Sequence, residues 1–182
     1  MFILPFDFEM TIRAEILAIV NKGNQRAQRD AEATAIEEIR GYIQDRYDCD
    51  QIFVDVFEFS NSATYNQGDI IFYDNGTGPA VYVCTTSSTG NTPDNTAYFE
   101  QRDPRSRLIV MYACDIVLYH LFSSVAPQKL SELRVKRYDD AIDWLKRVNT
   151  GKLSPVLPVF TNQEDSADNI PWGSNEKMGH NY

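Results

Sequence analysis

Few side chains in this sequence could carry chemistry at neutral pH. The 182 residues include 2 histidines, His120 and His180. His120 falls inside the most apolar stretch, the setting of a hydrogen-bonded core or interface histidine rather than a general base. Asp139, Asp140 and Asp143 form an acidic run, and an acid/base pair needs two such carboxylates. Lys136, Arg137, Lys146 and Arg147 stand at helical spacing from them, so intrahelical ion pairs account for the run. Arg134, Lys136 and Arg137 form a basic cluster suited to a solvated face, a subunit contact or an acidic partner. Cys49, Cys84 and Cys114 are scattered and lack metal-ligand spacing, which predicts three free thiols. No serine sits in a nucleophile elbow, no glycine loop resembles a phosphate cradle, and no His/Asp/Glu cluster suggests a metal. A glycosidase needs two acids at a defined separation, and no pair is singled out. The chain does not read as an enzyme, and no cofactor is expected.

The elements that would hold these residues alternate between two periods. Residues 1–8 are aromatic and extended and read as a strand or an arm lying on something apolar, with Pro5 blocking an early helix. Ile12, Ile16, Leu17, Ile19 and Val20 give a short amphipathic helix ended by Asn21-Lys22-Gly23-Asn24. Ala27, Ala31, Ala35, Ile39 and Ile43 recur every four residues and predict a helix over 25–47. Its small residues permit close approach, and its other side is a mixed-charge face. Ile52, Val54 and Val56 alternate with Phe53, Asp55 and Phe57, predicting a strand. Two β-rich runs, 69–73 and 80–85, flank a turn at Asp74-Asn75-Gly76-Thr77-Gly78 and read as a hairpin. Asp103-Pro104 reads as the N-cap of an apolar helix that stops before Pro127. A last helix spans 130–148 and ends at Gly151. Residues 152–160 are apolar and extended around Pro155 and Pro158. From Thr161 a polar tail carries isolated anchors, the pattern of a segment that orders on docking.

Lys and Arg number 17 and Asp and Glu 26, a formal charge of −9. That balance argues against a protein that coats nucleic acid, since phosphate binding uses Lys and Arg to release counterions. Hydrophobic residues at 43% suffice for a real core, and aromatics at 12% need a core or an interface to occupy. The apolar stretch 108–125 reads as too polar to cross a bilayer, being broken by Tyr112, Asp115 and His120. The N-terminus lacks a signal-peptide pattern. No membrane partner is expected.

Three motifs point further. Ala33–Tyr47 ends in the pair Arg46-Tyr47. The apolar helix follows, with Asp115 and Tyr119 in a pattern "L…a.div.Y.L". Then comes "R…RYddAidwL…..G", met by Arg134, Arg137, Tyr138, Asp139, Asp140, Ala141, Trp144, Leu145 and Gly151. Together these resemble the neck, or head–tail connector, proteins of tailed bacteriophages. The resemblance implies a helical bundle that assembles as a ring, commonly of twelve copies, below the portal. Such a ring joins capsid to tail and extends the channel through which DNA passes without specific binding. Its subunit interface would use Arg134, Arg137, Tyr138 and Trp144. The chain would be made in the host cytoplasm and end in the virion neck, contacting the portal and other neck or tail proteins. The tail around Trp172-Gly173-Ser174-Asn175 resembles C-terminal docking peptides of connector subunits, implying anchors at Ile170, Trp172, Lys177 and Tyr182.

The departure from the compact pattern is the stretch 52–102. Tyr65-Asn66-Gln67-Gly68-Asp69, Val81-Tyr82-Val83-Cys84 and Gly90-Asn91-Thr92-Pro93 resemble small chitin-binding-type carbohydrate modules. That resemblance implies sugar stacking on exposed rings, with Tyr65, Tyr73, Tyr82 and Tyr98 as candidates. Packing of the small sheet is the competing use for the same rings. A carbohydrate-binding or decoration module on a helical scaffold is thus the alternative function. The expected fold is α+β: a bundle of about four helices (1–51 and 103–160) with an inserted small antiparallel β domain (52–102) and an extended C-terminal tail (161–182).

Overall fold

The computed structural model describes residues 1–21, 25–125 and 127–160. The tail anchors Ile170, Trp172, Lys177 and Tyr182 lie outside the described residues. The fold is α+β. Helices α1 (Ala14–Asn21), α2 (Gln25–Ile43), α4 (Arg107–Val125) and α5 (Glu132–Asn149) build one layer. A one-turn helix, α3 (Cys49–Ile52), leads into strands β1 (Val56–Glu58), β2 (Thr64–Tyr65), β3 (Ile70–Asp74), β4 (Pro79–Cys84), β5 (Ser88–Thr89) and β6 (Phe99–Gln101).

The four-residue spacing in α2 buries Ala31, Ala35, Ile39 and Ile43 on one stripe, as the sequence predicts. The alanines let α2 lie close to α4, whose Ile109, Ala113, Cys114, Ile116, Val117 and Leu121 are all buried. α4 is covered by α2, by α5 and by the N-terminal segment, which is why it is apolar nearly all round. Its window Arg107–Ser124 has a mean hydropathy of 1.2, long and apolar enough to cross a membrane by those two measures. Its role here is that of a core helix with a buried aspartate at its middle.

The sheet corrects the expectation of an antiparallel insert. Strand order is β1-β3-β4-β6, and β1 pairs parallel to β3 through Val56↔Ile70 and Glu58↔Phe72. β3 and β4 form the expected hairpin, closed by Asp74↔Pro79. The Asp74 carboxylate accepts from the backbone N–H groups of Gly76 and Gly78, and these two glycines take positive φ. An aspartate before two glycines supplies both the turn's acceptor and its left-handed positions. β2 and β5 form a separate antiparallel pair.

The stretch read as a strand over 52–57 begins differently. Asp48 caps α3 by accepting from the N–H groups of Asp50 and Gln51, and this local cap outcompetes strand alternation. Ile52 and Phe53 are therefore both buried, and β1 starts only at Val56.

The N-terminal residues lie against apolar neighbours, as the sequence predicts, without forming a strand. Phe2, Ile3 and Leu4 are buried. The Met1 amine donates to the Val56 carbonyl at 3.0 Å, and the Val56 N–H donates back to the Met1 carbonyl at 2.9 Å. Pro5 does not block helix but opens a 3-10 turn, Pro5–Met10, where its missing N–H costs nothing. This segment joins the two layers: Leu4 packs with Val56 and Val81, and the Phe6 ring meets Phe72 edge-on.

Asp103 is likewise not an N-cap, since α4 begins at Arg107. The Arg105 guanidinium is buried and donates to Asp103, to Asp7 and to the Phe2 carbonyl at 2.6–3.2 Å. Burial works against that charge, but the two carboxylates outweigh it and hold Arg105 above its usual range. Asp103 is committed to this ion cluster, which staples the N-terminal turn to the start of α4.

Candidate functional site: the α4–α5 seam

The motif residues of α4 and α5 face each other. Tyr112, Asp115 and Tyr119 stand three and four residues apart, which places them on one side of α4. Contacts run in opposite order along the two helices: Tyr112 with Trp144, Tyr119 with Tyr138, Phe122 with Arg134. The helices are therefore antiparallel, as the short connection through the 3-10 turn Pro127–Lys129 requires.

At the centre is Asp115, 2% exposed. Arg137 Nε donates to its Oδ1 at 2.8 Å, and Arg134 Nη1 lies 3.4 Å from the same oxygen. Arg134 also donates to the Thr11 carbonyl at 3.3 Å, and its guanidinium lies over the Phe122 ring. Burial pushes the Asp115 carboxyl up, and the two arginines only partly pull it back. Burial also lowers Arg134, against the attraction of Asp115. One buried carboxylate thus ties α4 to α5 and, through Arg134, to the N-terminal turn.

One turn along, the Tyr119 and Tyr138 rings stack with centroids 3.9 Å apart. The Tyr138 hydroxyl donates to Glu38 Oε1 at 2.7 Å, and His120 Nε2 is 2.8 Å from Glu38 Oε2. Burial and then the Glu38 carboxylate push the Tyr138 hydroxyl well above the usual tyrosine range. His120 is satisfied by a carboxylate from α2, the structural role its apolar context predicts. Trp144 packs on Tyr112 at the far end.

The Arg46-Tyr47 pair and Gly151 also meet. Tyr47 is buried. Arg46 Nη1 donates to the Val148 carbonyl at 3.3 Å, and Asn149 Nδ2 donates to the Tyr42 carbonyl at 2.8 Å. These bonds satisfy carbonyls at the ends of both helices. Gly151 has φ +73°, and a Cβ there would collide with the Arg46 guanidinium. Its glycine is required twice, by conformation and by this close approach.

Arg134, Arg137, Tyr138 and Trp144, named from the sequence as subunit-interface residues, thus share one intrachain cluster. Of the acidic run, Asp143 pairs with Arg147 at 2.8 Å, whereas Arg137 pairs with Asp115 across the seam instead. Glu38, Asp7 and Arg105 were missed as site residues. Only the tertiary fold shows that the exposed-looking α2 face delivers Glu38 to the seam. The one readable signal was Asp115 itself, a charge in the most apolar helix.

The four tyrosines of the sheet divide. Tyr65 and Tyr82 are each 5% exposed. Tyr65 packs between Phe59 and Phe99, and its hydroxyl accepts from the Ser60 N–H at 2.7 Å. A ring enclosed in a small core offers no face to a sugar. Tyr73 and Tyr98 are half-buried against the same cluster. Among the described residues no group of three His, Cys, Asp or Glu side chains is placed to hold a metal. The three cysteines are free and buried, and burial raises the thiols, most strongly at Cys114. Inert structural thiols are the result.

Against known proteins, the family model described as bacteriophage Mu Gp36 matches residues 97–170. That span holds β6, α4, α5 and the segment after them, and so contains Asp115, Arg134, Arg137, Tyr138, Trp144 and Gly151. It is less than half of the chain. The likeness supports a structural protein of a phage virion. Comparison with curated proteins gives no match, and neither does comparison with solved structures.

Proposed function

We propose that this chain is a structural subunit of a phage virion neck, forming a ring below the portal that joins capsid to tail and extends the DNA channel. The observation that carries this reading is the coincidence of the Gp36 match with the α4–α5 seam. Asp115, Arg134, Arg137, Tyr138, Trp144 and Gly151 of the neck-protein pattern take part in the contacts that lock the helical layer together. The arrangement favours rigidity over chemistry: the buried carboxylate is neutralised by two arginines, and histidine, tyrosine and glutamate satisfy one another. The chain acts as a non-enzymatic building block, in a ring of about twelve copies if it follows the family it resembles. Its net charge of −9 suits a conduit, because an acidic wall repels phosphate and lets DNA slide. The tail from Thr161, with Trp172 and Tyr182 as aromatic anchors, docks on the portal or a neighbouring copy. The sheet serves as a contact or decoration element. Sugar binding there would rest on Tyr73 and Tyr98 alone.

The test is genetic. A phage lacking this gene should accumulate DNA-filled heads and free tails that do not join, and the purified chain should restore joining in vitro. Infectious virions assembled without the protein would refute the proposal.

A further inference from the structure

Two apolar surfaces take no part in the seam. The first is a groove of about 750 Å³ between the N-terminal turn with α1 and the face of β1, β3 and the start of β4. Phe6, Phe59, Phe72 and Tyr73 line it, and Ala14 and Ala18 keep it wide. Glu9, Glu58 and Asp74 supply acidic lining. The second surface is the strap 152–160. Leu153 and Leu157 pack on the helical core, and the Asp48 N–H donates to the Pro158 carbonyl at 2.9 Å. The strap is thereby fixed with Val156, Val159 and Phe160 outward, at 103%, 57% and 53% exposed.

We infer that the groove of one copy receives the strap of a second copy, an inference that rests on the ring reading above. Val156 stands at the apex of a tight turn closed by the Leu157 N–H, which donates to the Pro155 carbonyl at 3.0 Å. Pro155 and Pro158 stiffen the flanks, so the projecting side chain loses little backbone entropy on docking. Anchoring on its own core removes much of the remaining ordering cost. Charge selects the same occupant. Two copies at −9 repel, so their contact must be locally complementary. The strap contains no acid and one cation, Lys152, to set against Glu9, Glu58 and Asp74. The tail beyond it carries Glu164, Asp165, Asp168 and Glu176 against Lys177 and would be repelled by that lining. Groove and strap share no residue, so one copy can give and receive at once. Such a contact is heterologous and repeats, closing a ring when its rotation divides a full turn.

Mixing of full-length variants tests this in an analytical ultracentrifuge. Val156→Asp with Phe160→Asp spoils the strap at exposed positions. Ala18→Trp, or Ala14→Trp as a second choice, fills the groove from the exposed side of α1. Each variant alone should associate at least about tenfold more weakly than wild type, the loss expected for one interfacial anchor. An equimolar mixture should form a heterodimer and stop there, because only one of its two junctions is intact. A monomeric mixture, or a variant that assembles like wild type, overturns the contact. Rings of both variants on the portal would overturn this contact and leave the neck reading standing. A wild-type chain that stays monomeric with and without portal would overturn both.

Discussion

Replacing Asp115 by alanine should be among the most damaging single changes to the helical layer. Asp115 is 2% exposed and joins Arg137 at 2.8 Å and Arg134 at 3.4 Å. Breaking a buried pair by removing one partner costs about 3–5 kcal/mol, because the other charge stays behind. Two features reduce that here. The Arg137 side chain is 31% exposed and can turn to water. Arg134 keeps the Thr11 carbonyl and the Phe122 ring. A cost of about 2–3 kcal/mol follows. For a chain of this size each kcal/mol moves Tm by about 2–4 °C, so Asp115→Ala should lower Tm by about 4–12 °C. Asp115→Asn keeps the shape and one acceptor and should lose about 1–2 kcal/mol. Urea unfolding of Asp115→Ala, Arg137→Ala and the double variant gives the coupling, expected at about 1–2 kcal/mol. A cost below about 0.5 kcal/mol, the range of ordinary surface changes, would refute the claim that this carboxylate ties the helices.

Other consequences follow from the same contacts. In carbon-detected NMR the Asp115 carboxyl should titrate above the ordinary aspartate range, since burial outweighs its arginines. The native state then holds that proton more tightly than the unfolded chain. Asp115 therefore adds stability as pH falls from its raised value toward about 4, the unfolded range, and loses it as pH rises. Gly151→Ala should cost about 1–2 kcal/mol for a left-handed alanine, and Arg46→Ala should relieve only the steric part, which a double-mutant cycle in urea would show. Tyr138→Phe removes a hydroxyl bonded to Glu38 and should cost about 1.5–3 kcal/mol, as for a bond to a charged acceptor, read from thermal unfolding. In an assembled ring the channel wall should be acidic; a map of the ring that lines it with Lys and Arg would count against the conduit.

What could be read from the sequence, and what could not, follows from the range of the forces involved. The α2 stripe, the β3–β4 hairpin and the stop at Gly151 depend on neighbours within a few residues, and each stands where its pattern puts it. The parallel pairing of β1 with β3 does not, because it joins strands across a long connection, and β1 is also tied through Val56 to Met1 at the far end of the chain. Asp103 carries the same lesson: its N-cap signal is local and sound, yet Arg105 and Asp7, 98 residues apart in sequence, claim it for an ion cluster. At the seam, Asp115 in an apolar helix announced a partner without naming it. The basic cluster that answers it read as a surface feature, since helical spacing offers Arg137 nearby acids of its own. Of the sheet tyrosines, the sequence left Tyr82 open between sugar stacking and packing; β4 is covered on both faces from Val81 to Cys84, which commits Tyr82 to packing.

Electron microscopy of the purified chain mixed with the portal of the same phage tests the neck assignment most directly. Side views should show an added layer stacked on one end of the portal, and end views a closed ring around the same axis and an open channel. Bare portals beside unassembled chains, or the protein found in another part of the virion, would contradict it.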